Sequence, residues 1–166
     1  MSTVEPGSGR SDSRQGPVIV VVASLMIFSA ATIFAVPAIA EPGAEVTQAV
    51  VDARGGTSCA PLRHNPAVEH AADIINRSTY SYLNHTAENV PADEPHQKAI
   101  VRDLGIEATR TASFQGAGHN VADATKGMLL EGRDAFPDCA YTDFGVSSLY
   151  EEQSDFTLVA VVLVAT

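Results

Sequence analysis

Between Glu41 and Arg54, apolar residues recur at helical spacing, with Val46, Ala49, Val50 and Ala53 on one stripe and Gly55-Gly56 as the stop. A second helix has a fuller start signal: Asn65 at the N-cap, Pro66 at the first helical position and Glu69 in the first turn. Val68, Ala71, Ala72 and Ile75 then mark the face it buries. The polar stretch that follows, with Asn84, Asn89, Pro91 and Pro95, reads as mostly loop. His96 to Leu104 reads as a short helix closed by Gly105. Ile106 to Gln115, rich in Thr, Ser and Ala and followed by Gly116-Ala117-Gly118, predicts an edge strand. Asn120 predicts the cap of a helix through Glu131, with Val121, Ala124, Met128 and Leu129 inward and Gly132 as its end.

The periodicity changes at the C-terminus. Tyr141 to Tyr150 and Phe156 to Ala165 are strand-like runs flanking a polar loop, the pattern of a β-hairpin. The last run, FTLVAVVLVA, is apolar on both faces, so it belongs in the middle of a sheet covered on both sides. The predicted fold class is α+β, a three-layer αβα sandwich with a small antiparallel sheet ending in that C-terminal β-hairpin.

Residues 1–40 have a different character. Arg10 and Arg14 precede an uncharged run from Pro17 to Val36, and Ala38-Ile39-Ala40 after Pro37 has the form of a signal-peptidase site. The expectation is a signal sequence over 1–40, cleaved near Ala40, and an extracytoplasmic domain over 41–166. The alternative is an uncleaved anchor, since about 20 apolar residues suffice to span a bilayer. No cysteine lies near the site to carry a lipid, and the arginines are not adjacent as the twin-arginine route requires.

The net charge of −10 falls on the later segment, because Glu5 and Asp12 balance Arg10 and Arg14 within the first forty residues. Its basic residues are scattered among more numerous acids, which argues against nucleic-acid binding. In an exported chain the two cysteines predict a disulfide, Cys59–Cys139, closing a loop worth about 4 kcal/mol in chain entropy. Their separation fits neither a zinc-ligand pair nor a redox motif.

Two segments carry a resemblance. Cys59 to Val68 (CAPLRHNPAV), after a helix ending in Ala53-Arg54, is similar to a P-L-x-x-N/D-P-x-L helix entry. Ala140 to Val146 (AYTDFGV) is similar to an N-F/Y-T-E-I-G-V entry into a hairpin. Both resemble the CAP superfamily, the cysteine-rich secretory, antigen 5 and pathogenesis-related (SCP-like) proteins, and in particular its short actinobacterial relatives. The resemblance implies an αβα sandwich over 41–166. Metal-binding members use two His and two acids. The first His resembles His85, and the family's G-E-N segment resembles Gly118-His119-Asn120 with His in place of the acid. The second His falls near Gly132, with Glu131 the adjacent carboxylate.

The ligand-cleft candidates are therefore His85, His119, Asn120 and Glu131. Zinc is the metal that His85 and His119 would suit, although the missing second His implies no resident cofactor. His64, His70 and His96 read as ordinary helix-flanking or helical residues. Ser147 and Ser148 lie on a predicted strand with no G-x-S-x-G elbow, and Asp93-Glu94 and Glu151-Glu152 read as solvated turn charges. The expected function is a secreted or cell-envelope module, non-catalytic, binding a lipid, a small apolar ligand or a protein. Membrane contact would come only through an uncleaved N-terminal segment. The alternative is a metal-dependent hydrolase with a rearranged CAP-type site.

Overall fold

The strand Phe156–Ala165 is flanked on both edges and covered on both faces, as its unbroken apolar run requires. The computed structural model describes residues 42–86 and 96–166. The expected signal sequence, together with Asn89, Pro91, Asp93, Glu94 and Pro95, lies outside the described residues.

In chain order the elements are α1 (Pro42–Gly55), β1 (Arg63–His64), α2 (Pro66–Leu83), α3 (His96–Asp103), β2 (Arg110–Gly118), α4 (Val121–Glu131), β3 (Asp143–Glu151) and β4 (Phe156–Ala165). The sheet order is β1-β3-β4-β2. β4 pairs antiparallel with both neighbours, with Gly145 opposite Val162 and Gly116 opposite Val159. The expectation of a purely antiparallel sheet needs one amendment: β1 adds two residues to β3 in parallel, Arg63 beside Asp143 and His64 beside Phe144.

Alternation along β4 divides the core. Val159, Val161 and Leu163 face α1 and α4, where Val46, Val50, Ala124 and Met128 are fully buried. Ala160, Val162 and Val164 face α2 and α3, against Val68, Ala71, Ala72, Ile75 and Val101. Each fully buried aliphatic side chain contributes about 1.5–3 kcal/mol, so β4 carries much of the stability.

α2 runs to Leu83, well past the predicted start of the loop. Residues 76–83 are indifferent helix formers, but tertiary contacts hold them. Asn76 is fully buried and Thr79 Oγ1 donates to Gln115 Oε1 at 2.6 Å. β2 is the predicted edge strand, shifted to include its glycines. α4 lies so close over it that a Cβ at Gly116 would stand 1.9 Å from the Ala124 carbonyl oxygen. Asn65 and Asn120 both cap as predicted, accepting from Ala67 N at 3.0 Å and Asp123 N at 2.9 Å.

Two further ties set the loops. Cys59 and Cys139 form the predicted disulfide. Beside it the Arg54 guanidinium, 2 % exposed, donates to the carbonyls of Ala60, Phe136, Asp138 and Tyr141 at 2.8–2.9 Å. Glu151, expected as a solvated turn charge, is instead 1 % exposed. Its carboxylate accepts from the backbone of Gln153 at 2.9 Å and of Ser154 at 2.8 Å, and from the Ser154 hydroxyl, closing the β3–β4 turn.

Candidate functional site

The four residues singled out by sequence occupy the ends of helices. His85 follows the α2 C-cap Asn84 with φ 54°, in the left-handed region. Its N–H donates to Tyr82 O at 3.0 Å and the Thr86 N–H to Ser81 O at 2.9 Å, the paired bonds of a Schellman helix end. His85 thus fills the position that glycine usually takes. Its ring is exposed.

His119 follows the last residue of β2, and Asn120 caps α4. The His119 ring lies 4.6 Å from that of Phe156, and its Nδ1 is 3.0 Å from Asp155 O. Glu131 is at the opposite end of α4, about 16 Å away along an eleven-residue helix. There its carboxylate accepts the Gln115 N–H at 2.6 Å, covering the outer edge of β2. The position matched to the second His, Gly132, is buried, and a Cβ there would stand 2.6 Å from the Phe136 ring. The structure therefore brings His119 and Asn120 together and leaves Glu131 apart. Among the described residues no three His, Cys, Asp or Glu side chains are grouped to hold a metal ion.

A cleft of about 410 Å³ lies elsewhere, between the start of α1, the exposed side of α2 and residues 146–149 of β3. Sequence reading missed it as a site. Glu69, Asp73 and Arg77 are spaced four apart on α2, a polar row beside the apolar stripe, and that row was the available signal. Arg77 Nε bonds Asp73 Oδ2 at 2.7 Å, which raises the guanidinium pKa above its ordinary value. Glu69 is held to the His64 ring at 2.5 Å. Ser147 Oγ donates to Asp73 Oδ1 at 3.4 Å and accepts from Asn76 Nδ2 at 3.2 Å, while Asn76 Oδ1 has no partner. Ser147 has an acid and an amide beside it and no imidazole, so this arrangement presents no nucleophile with its base. What the cleft offers is hydrogen bonds and a charged wall.

No protein-family profile matches the chain, and no curated protein matches it in sequence. Solved structures do match. A cysteine-rich secretory protein from Staphylococcus aureus aligns at TM-score 0.57 and 13% identity, over 75% of this chain and 38% of its own. An extracellular protein containing an SCP domain from Bacillus anthracis aligns at 0.58 and 12%, over 75% and 40%. An outer surface protein from Borrelia burgdorferi aligns at 0.56 and 10%, over 73% and 89%. The chain thus spans about two fifths of the first two proteins and most of the third. At these identities the likeness establishes the fold, the αβα sandwich of SCP domains. Among the described residues no helix is long and apolar enough to cross a membrane.

Proposed function

We propose that the chain is an exported module with the SCP fold that holds a partner in the extracytoplasmic space and catalyses no reaction. The observation that carries this reading is the position of its reactive side chains. His85 completes a helix end, Asn120 caps α4, Glu131 covers a strand edge, and a side chain at Gly132 would meet Phe136. Export is supported by the Arg10-to-Ala40 pattern and by a disulfide of the kind that persists in oxidising compartments. The solved structures with this fold are named secretory, extracellular and outer surface proteins. Of the partner classes considered, the polar lining of the 410 Å³ cleft favours a protein segment over a lipid or apolar ligand.

The test is an esterase and peptidase panel on protein recovered from the producing cell, with added zinc and with chelator. Background rates throughout, unchanged in His85→Ala, are expected. Turnover that disappears on chelation and in His85→Ala would overturn the reading in favour of a metal-dependent hydrolase.

A further inference from the structure

We propose that the outer edge of β3 takes up an extended segment of a partner protein as an added strand, with a basic side chain of that segment against α2. This rests on the reading of the chain as a binding module, and names its site and partner class.

The edge is open because β1 is short. Asn65 N donates to Phe144 O at 2.9 Å, so the polar backbone groups of residue 144 point away from β4. By the two-residue repeat of a strand, those of Val146 and Ser148 point the same way. Among the described residues nothing pairs them: β1 ends at His64, and Asn65 turns the chain into α2. Gly145-Val146-Ser147-Ser148-Leu149 also contains no proline or charge, the usual means of blunting an edge. The opposite edge of the sheet is treated differently. On β2, Gln97 Nε2 donates to Thr111 O at 3.4 Å and Glu131 accepts from Gln115 N at 2.6 Å, so side chains occupy the outward-facing groups.

The edge lines the 410 Å³ cleft, while the side chains of Val146 and Ser147 are buried against the two helical layers. It is the floor of a slot between α1 and α2. Alternating donors and acceptors along that floor match an extended polypeptide, and a lipid chain cannot satisfy them. The two walls differ. Gly43 and Ala44 of α1 leave room, and near them the buried Ser148 Oγ lacks a partner. On the α2 wall Arg77 is paired with Asp73, and Glu69, half exposed, meets the His64 ring through Oε2 and keeps its second oxygen for a further donor, in a protein of net charge −10. An inserted strand therefore places one set of alternate side chains towards α1 and sets Lys or Arg towards Glu69.

The experiment uses the exported protein and fluorescein-labelled heptapeptides of Val and Thr with Lys at alternate positions. Matched peptides carry Glu for Lys, or N-methyl groups on every second amide in either register. Anisotropy should show saturable binding of the Lys peptide, with a loss of about tenfold or more for the Glu peptide and for one N-methyl register. Glu69→Lys should weaken binding similarly. Ser148→Pro should abolish it, because the proline removes an outward donor without breaking the β4 ladder. By NMR, the Val146 and Ser148 amides should exchange freely alone and become protected with peptide, a readout independent of either variant's folding. No binding, equal binding of both N-methyl registers, or unchanged exchange at these amides overturns the proposal. Protection that grows with protein concentration alone would make a second copy the occupant and overturn the partner assignment. The binding-module reading is judged separately by turnover, so the two can fail independently.

Discussion

Gly145 on β3 lies directly beneath the first turn of α2, where a Cβ would stand 2.1 Å from the Glu69 backbone nitrogen. Helix and strand meet there backbone to backbone, which seats Glu69 at the slot and closes its lower end. Gly145→Ala must push α2 off the sheet. A loss of about 3 kcal/mol is expected, read as a lower urea midpoint, and an unchanged midpoint would contradict the contact.

Arg54 joins both chain segments that carry the disulfide, through one carbonyl next to Cys59 and three around Cys139. Lysine keeps the charge but is a point donor and cannot span four acceptors. Arg54→Lys should cost about 3 kcal/mol in urea denaturation, with the disulfide still formed by non-reducing mass analysis. Replacing both cysteines by serine should cost about 4 kcal/mol and lower the melting temperature while leaving the amide spectrum of β4 in place.

His85→Gly separates a structural role from a functional one. The residue sits at φ 54°, where a side chain is strained. Glycine should raise stability by about 1 kcal/mol by thermal denaturation and leave peptide binding intact. A loss of binding would show that the ring itself takes part.

Hydrogen bonds from the Ser154 hydroxyl, and then from the Gln153 backbone, hold the Glu151 carboxyl below its usual range. Asp138 is lowered too, chiefly by the Ala140 N–H and then by Arg110. A depressed folded pKa adds stability that is complete above the unfolded value, about 4 for these groups, and is lost as pH falls through the folded one. Wild-type urea midpoints should therefore drop steeply below about pH 4. In Glu151→Gln the drop should be shallower, from a lower midpoint at neutral pH.

The frame of the fold was legible in local chemistry. Asn65-Pro66 and Asn120 start helices by backbone capping that needs no distant partner, and the unbroken apolar run from Phe156 declares its own central place. The slot was not legible, because it depends on β1 stopping at His64 and on Gly145 drawing α2 close, and both are tertiary facts. Glu151 was misread for a similar reason: a charge beside another charge gives no sign that backbone N–H groups will converge on it. His85 and Glu131 were found by motif, but their roles lie in a helix-end conformation and a strand edge that a motif does not encode.

The position of β4 also sets the order in which this molecule can become a protein. β2 and β3 are made before it, and neither has another antiparallel partner among the described residues. Until residue 156 and its successors emerge, β2 and β3 cannot be joined into one sheet, and the two helical layers lack the strand that both pack against. An emerging chain must keep part of its apolar helix faces unsatisfied until β4 arrives, and that strand is itself ten residues of nearly pure aggregation-prone sequence. A chain stalled or clipped before Phe156 therefore lacks the strand on which both halves of the core are built.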